Sequence, residues 1–331
     1  MKTILVTGGA GFIGSHLCEA LLNEGNKVIV IDNFNNYYNP MIKGSNIQEI
    51  KNTMKYNKIL NGNFKLFEGD IRNKEDLTRV FREKIDIIVH LAAMAGVRPS
   101  IQNPELYYDV NIMGTLNLLE QCKKNKITKF VFASSSSIYG NNKKVPFSEN
   151  DNVDFPISPY AATKKSCELL LHTYHHLYNI STVCLRFFTV YGPRQRPDLA
   201  IHKFTKLILE RKKIPFYGDG TTERDYTYIS DIINGILSAI EFVCSDNCYE
   251  IFNVGGDHTI SLKEMVETIE STLNKKAELN IMPMQPGDVN RTCADITKSD
   301  KILGYRPNVN FEEGIKKFVD WYKIKRNDLN D

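Results

Sequence analysis

The sequence has no apolar run near the roughly 20 residues that a bilayer-spanning helix needs. It also has no internal repeat and no low-complexity stretch, so neither a membrane protein nor a solenoid is expected. Charge of one sign is lacking too: 42 basic against 39 acidic residues leave a net charge of +3, and the two signs are interspersed. Nothing in that balance calls for nucleic acid or an anionic membrane surface, although a local arginine cluster could still hold a charged ligand. Cysteine is present but unpaired in pattern. Cys18, Cys122, Cys167, Cys184, Cys244, Cys248 and Cys293 are odd in number and scattered, and Cys244 with Cys248 lacks a partner pair. They read as reduced thiols of a cytoplasmic protein, with neither a disulfide frame nor a zinc site. His172, His175 and His176 have no companion ligands, so no metal is expected. The first apolar strand starts at the second or third residue, which leaves no room for a signal peptide. What remains is a chain of 331 residues, 42% of them hydrophobic, enough to bury one large core or two modest ones.

The most informative stretch is the first. Thr3 to Thr7 reads as a buried strand, Gly8-Gly9-Ala10-Gly11 as a turn, and Phe12-Ile13-Gly14-Ser15-His16-Leu17 as the opening of a helix. Gly8 can adopt the positive φ of a tight turn, Gly11 lets backbone approach a pyrophosphate, and Gly14 lets the helix lie against the strand. A helix N-terminus then offers unpaired N–H groups to the phosphates. The next strand, Lys27 to Ile31, ends at Asp32, whose carboxylate can accept hydrogen bonds from ribose hydroxyls and would repel a 2′-phosphate. That pattern favours NAD over NADP. The glycine spacing is G-x-x-G-x-x-G rather than G-x-G-x-x-G; it is the strand before, the helix after and the acid beyond that make it a dinucleotide signature.

Further along, strands and helices alternate, which predicts a doubly wound parallel α/β sheet. After Asp32 a turn-rich segment and a polar stretch to about Asn63, helical in part, read as a surface excursion and not a domain. Phe64 to Phe67 forms a third strand ending at Gly69-Asp70-Ile71, and Asp86 to Ala93 a fourth. Cofactor is expected across the carboxyl ends of these strands, with Asp70 and Ile71 at the adenine and Leu91, Ala92 and Ala93 under the other half. Pro104 to Lys124 has the spacing of one long helix, with Asn111 among apolar neighbours; a buried Asn there must find partners, either in backbone beside the site or in a neighbouring turn. Lys129 to Ala133 is a strand that runs into Ser134-Ser135-Ser136-Ser137, placing hydroxyls at the crevice.

Ser158-Pro159 caps the next helix, which carries Tyr160 and Lys164 four residues apart on one face. A tyrosine with a pKa near 10 is a poor base at neutral pH. A neighbouring ammonium and a positive nicotinamide would both favour phenolate, and lowering the pKa by about 3 units takes about 4 kcal/mol. Ser135 could bond the same substrate oxygen, completing a Ser, Tyr, Lys set for proton and hydride transfer.

With those residues in place, Thr7 to Gly14, Asp32, Leu91 to Ala93, Ser134 to Gly140 and Tyr160 to Lys164 resemble the extended short-chain dehydrogenase/reductases over nearly the whole chain. Leu185 to Asp198, Phe216 to Tyr226 and Met284 to Val289 resemble its nucleotide-sugar branch. The Asn-Tyr-Tyr excursion, Gly96 to Ser100 and Arg194 to Asp198 are most similar to the UDP-glucuronate 4-epimerases. The resemblance implies a Rossmann domain (1–185 and 228–255) interwoven with a nucleotide-sugar domain (186–227 and 256–331), NAD as cofactor and a homodimer. It implies NAD contacts from Gly8, Gly11, Phe12, Ile13, Asp32, Asn33, Asn36, Asp70, Ile71, Leu91, Ala92, Ala93, Asn111, Tyr160 and Lys164, with Ser135, Tyr160 and Lys164 catalytic. For a UDP-sugar it implies Arg224 at the diphosphate and Asp288 at the uridine ribose, Thr189 and Arg196 at a sugar carboxylate, with Arg98, Ser136 and Ser137 nearby. The expected reaction is 4-epimerisation of a UDP-hexuronic acid by transient oxidation. Alternatives are a neutral UDP-sugar 4-epimerase, a UDP-glucuronate decarboxylase, or a non-catalytic NAD-binding regulator.

Overall fold

Residues that alternate between the two sides of one strand build the layers of this molecule. In the computed structural model, which describes residues 1–245, 247–284 and 289–329 (with the side chains of 327–329 left undescribed), β1 (Thr3–Thr7) sends Ile4 and Val6 into one apolar core and Leu5 into another. A strand period of two requires this, and burial on both faces explains why the strands read as continuous aliphatic runs. β2 (Lys27–Asp32), β3 (Phe64–Glu68), β4 (Ile87–His90), β5 (Lys129–Ser135) and β6 (Ser181–Phe187) follow. With the strand Tyr249–Val254 at one edge, the order is Tyr249–Val254, β6, β5, β4, β1, β2, β3. Every pairing in this sheet is parallel. The order reverses at β1, between β2 and β4, and a doubly wound sheet opens its ligand crevice at the carboxyl ends beside such a point. The expected α/β fold is therefore the one observed.

Helix α1 (Phe12–Asn23) lies against one face together with α2 (Pro40–Tyr56) and the helix Ile229–Ser245. Short strand pairs lie outside the main sheet, among them Thr189–Tyr191 with Tyr226–Tyr228, just beyond the carboxyl end of β6, and Ile214–Tyr217 with Leu279–Met282. Among the described residues, no helix is long and apolar enough to cross a membrane.

Two local expectations need correction. The stretch after Asp32 is helical in part as expected but is not a surface excursion: Asn39 caps α2 through the Met41 N–H, Pro40 opens it, and Ile42, Ile47, Ile50 and Met54 join the core beside α1. The predicted helix from Pro104 to Lys124 is broken into α-helix Pro104–Tyr107, a π-helical turn Tyr108–Met113 and α-helix Gly114–Asn125. Asn111 lies in the π turn, where the extra residue in the turn alters the phase of the helix. Its amide accepts from the Met94 N–H (2.8 Å) and donates to the Met94 carbonyl (3.0 Å) and Thr163 Oγ1 (2.9 Å). Of the two readings of this buried Asn, the structure chooses the brace on backbone.

Behind the crevice lies a fully buried ion pair. Arg186 of β6 donates Nε and Nη2 to the two oxygens of Glu168 at 3.0 and 2.9 Å, Ser134 Oγ donates to Glu168 Oε1 at 2.6 Å, and Arg186 Nη1 donates to the Tyr139 hydroxyl at 2.9 Å. Both charged side chains are 1% exposed, so either one left alone would be an uncompensated charge in the core. Glu168→Leu is expected to cost about 3 to 5 kcal/mol in urea unfolding, and Glu168→Leu with Arg186→Met to recover most of it. Losses that simply add in the double variant would contradict this account.

Candidate active site

A cleft of about 380 Å³ runs along the carboxyl ends of the strands, from Asp32 and Asp70 to Ser135, Tyr160, Thr189 and Arg196. At one end is the glycine turn. Gly8 has φ +72°, and a Cβ there would lie 2.9 Å from the Ala92 backbone; a Cβ on Gly14 would meet the Gly8 carbonyl at 2.2 Å. No other residue type fits either place, and the N-terminus of α1 is thereby left facing the cleft. Gly8, Gly11, Phe12, Ile13, Asn33, Ile71, Leu91, Ala92 and Ala93 line it. Behind them, buried His90 bridges Thr7 (2.7 Å) and Thr115 (3.0 Å), and burial lowers its pKa to about 3, so the ring is neutral.

Asp32 is already partnered. Its carboxylate accepts from the Ala10 N–H (3.2 Å), the Phe34 N–H (2.9 Å) and Lys43 Nζ (3.1 Å). Asp70, against the cost of burial, is held to a pKa of about 2 by Arg72 and the Asn33 amide. The acid end of the cleft thus suits a ribose, whose hydroxyls can donate to carboxylates.

The catalytic candidates converge from two elements. β5 ends at Ser135, and the Ser158 side chain caps the helix Pro159–Tyr178 by accepting from the Ala161 N–H at 3.2 Å. This sets Tyr160 and Lys164 one turn apart, facing the strand end, where the Ser135 hydroxyl donates to Ser137 Oγ at 3.1 Å and is close enough to pull the Tyr160 pKa down. Lys164 is buried and donates to the Ala133 carbonyl at 2.6 Å. Its Nζ is 6.0 Å from the Tyr160 ring centre and 4.8 Å from that of Phe132. The expectation that the ammonium favours phenolate directly is not met by the protein alone: desolvation raises the Tyr160 pKa, while Ser135 and then Arg196 pull it down. Burial also lowers Lys164 to about 8, with Glu168 among the groups opposing the shift. In the protein by itself the phenol is neutral at pH 7.

At the far end, Thr189 and Arg196 line the cleft. The loop that carries Arg196 is pinned to α1: Arg194, at φ +66°, pairs with Glu19 at 2.8 Å, and His16 Nε2 donates to the Pro193 carbonyl at 2.9 Å. Burial lowers His16 to about 4, so it is neutral. Arg196 lies over the Tyr37 ring at 5.1 Å and is bound to Asp198.

Several expected residues do not line this cleft. Asn36 is exposed, and Asn111 is committed to Met94 and Thr163. Ser136 and Ser137 form the 3₁₀ turn after β5, where the Ser137 N–H donates to Ser135 Oγ at 3.1 Å. Arg98 stacks on Tyr217 at 4.7 Å, and Arg224 donates to the Glu223 carbonyl at 2.8 Å. Asp288 lies outside the described residues. Conversely, Lys43, Met94, Phe187 and Phe188 line the cleft without having been given a role, as do Tyr37 and Tyr38, which entered only through the resemblance of the Asn-Tyr-Tyr excursion. The adjacent tyrosines ahead of the Asn39-Pro40 cap were the one available signal, since paired aromatics in a polar turn must cover something.

The chain matches the family model described as GDP-mannose 4,6 dehydratase over residues 5–318. It is 45% identical to a UDP-glucuronate 4-epimerase of Thermodesulfobacterium geofontis over 98% of this chain and 97% of that protein. Among solved structures it is similar to the UDP-glucuronic acid 4-epimerase from Bacillus cereus in complex with UDP-glucuronic acid and NAD, at 41% identity and a TM-score of 0.88, covering 97% of this chain and 99% of that one. It also resembles a UDP-glucose 4-epimerase from Thermotoga maritima with UDP-glucose, at 32% identity and a TM-score of 0.87, covering 98% and 99%. A glycine turn, a strand-end serine and a Tyr-x-x-x-Lys helix meeting in one cleft fit those matches, and the chain belongs to the GDP-mannose 4,6-dehydratase family of extended short-chain dehydrogenase/reductases.

Proposed function

We propose that the protein is an NAD-retaining 4-epimerase of a UDP-hexuronic acid, interconverting UDP-glucuronate and UDP-galacturonate. The observation that carries this is the placing of Ser135, Tyr160 and Lys164 in one cleft with Thr189 and Arg196, beyond the glycine turn and Asp32. The relatives whose names specify UDP-glucuronate support the same reading.

Gly8 and the N-terminus of α1 would hold the pyrophosphate of NAD, with Asp32 at the adenosine ribose. Bound in this way, NAD would supply a reversible hydride acceptor for sugar carbon 4, so none would be consumed. Tyr160 would remove the carbon-4 hydroxyl proton and give it back, with Ser135 bonding the same oxygen. The raised pKa of the protein alone means that Tyr160 needs an added positive charge to ionise, and the oxidised nicotinamide brings one. Lys164, fixed by the Ala133 carbonyl, would support the phenolate across the remaining distance and the nicotinamide ribose. Between the two transfers the flat 4-keto sugar would turn over. Arg196 would hold its carboxylate through a charge-assisted contact, with Arg224 and Asp288 serving the diphosphate and uridine.

Elimination or decarboxylation calls for a carboxyl acid or base just after the strand-end serine; Ser136 and Ser137 supply none. We assign residues 1–185 and 228–255 to the cofactor domain and 186–227 and 256–331 to the sugar-nucleotide domain. Exposed Tyr108, Met113, Leu169 and Leu177 on neighbouring helices suit a homodimer contact, and the free thiols suit a cytoplasmic location.

Incubated with UDP-glucuronate and no added reductant, the protein is expected to give the galacto product; NADH accumulating in step with substrate loss would mark a dehydrogenase instead. Tyr160→Phe is expected to keep the fold and NAD content while losing about 10²-fold or more in turnover, the scale of general acid–base catalysis. Unchanged kcat in that variant would remove Tyr160 from the reaction. Arg196→Ala should weaken UDP-glucuronate by about 10- to 150-fold, the equivalent of one charged hydrogen bond, and leave UDP-glucose nearly untouched. Titration calorimetry with the two sugars checks this, and equal losses would favour a neutral sugar as substrate.

A further inference from the structure

Arg196, at the end of the cleft assigned to a sugar carboxylate, is already paired with a carboxylate of the protein's own that lies outside the lining. Asp198, two residues beyond Arg196, accepts from Arg196 Nε at 2.9 Å and from Nη2 at 2.7 Å, through one oxygen each. A guanidinium offers two such edges for a two-point contact with a carboxylate, Nε with Nη2 and Nη1 with Nη2. Asp198 therefore fills one edge and takes a share of the nitrogen common to both. The face of the guanidinium is covered as well, 5.1 Å from the Tyr37 ring centre, so the group is held in its plane and has little freedom to offer a different fork.

We propose that Asp198 is an internal competitor for Arg196, a specificity-setting residue that weakens the hold on a hexuronate so that the oxidised sugar can be let go and turned over. The inference rests on the uronate reading above. Its physical basis is charge. An Arg–Asp pair sums to zero, so an incoming uronate meets a neutral pair and a nearby like charge instead of a bare cation. A neutral sugar, with an alcohol at carbon 6, is nearly indifferent to that difference. Exposure makes the competition reversible: Arg196 is 18% exposed and Asp198 38%, so the Asp198 carboxylate can take up water when it yields the fork, whereas the guanidinium has no comparable access.

The reaction explains why such a weakening helps. Hydride leaves one face of carbon 4 and returns to the other, so the sugar must abandon one orientation for a second between the two transfers. A carboxylate locked in an unopposed arginine fork deepens the bound state and slows the turning, whereas a carboxylate that takes the fork back lowers that barrier. Tight binding of the ground state without matching stabilisation of the step that follows gains nothing in turnover.

The test compares Asp198→Asn and Asp198→Ser with the unaltered NAD-loaded protein, by calorimetric titration of UDP-glucuronate and UDP-glucose and by initial rates with UDP-glucuronate. Both variants are expected to bind UDP-glucuronate about tenfold more tightly, the scale of one charge-assisted hydrogen bond. UDP-glucose binding should not change, and kcat should fall with KM, so that kcat/KM moves little. Unchanged or weaker UDP-glucuronate binding with UDP-glucose binding retained overturns the proposal. So does a parallel loss of both ligands, which would make Asp198 a support of loop shape. Arg196→Ala, run alongside, separates the two levels: if it binds both sugars as the unaltered protein does, the uronate reading itself falls, whatever the Asp198 variants do.

Discussion

Two charges buried together behind the cleft hold its working groups in place. Arg186 belongs to β6 and Glu168 to the helix Pro159–Tyr178, and their two-point contact ties strand to helix. Ser134 is bonded to the same carboxylate and precedes Ser135 in the chain, while Lys164 lies one helical turn before Glu168. Tyr139 extends the network to Asn253 at 2.7 Å, in the edge strand of the sheet. A buried pair adds little net stability over apolar residues of the same volume, and its value lies in specifying one arrangement because every alternative strands a charge. Here the specified arrangement includes the spacing between the strand-end serine and the Tyr160 to Lys164 face of the helix.

Where Tyr160 and Lys164 meet, electrostatics follow from desolvation more than from pairing. Burial raises Tyr160 and lowers Lys164, which in the protein alone pushes both toward their neutral forms. On the proposed mechanism, a tyrosine held neutral by burial would become a base only once a positively charged group lies beside it. The Lys164 contact with the Ala133 carbonyl fixes where its charge is delivered.

A second theme is self-pairing. Asp32 and Arg196, the two ionic groups on which the ligand reading leans, are each held by an oppositely charged side chain of the same chain, Lys43 and Asp198. Lys43 is brought to Asp32 by α2 from eleven residues away, and Asp198 by the loop that carries Arg196 itself. On the proposed assignment, ligand recognition at both ends would be an exchange of partners within neutral pairs, and selectivity would depend on Lys43 and Asp198 as much as on Asp32 and Arg196.

The strand, turn and helix of the first seventeen residues were legible because each rests on a local rule: continuous aliphatic residues for a strand buried on both faces, glycine where φ is positive, an acid at the end of the next strand. The same holds for the Ser158-Pro159 cap and the four-residue spacing of Tyr160 and Lys164, which helix geometry alone puts on one face. Local rules did not reveal the π turn at Asn111, because the Met94 and Thr163 groups that satisfy its amide are distant in sequence. Nor did they reveal the return of Tyr37 and Tyr38 over the cleft, the filling of the Arg196 fork, or the distance of Lys164 from the Tyr160 ring. Those depend on which surfaces the packed helices and loops bring together. The sequence by itself determined the fold class and the types of reacting group, since both follow from neighbours along the chain. The tertiary structure decided which charges are paired and which are buried, since both depend on neighbours across it.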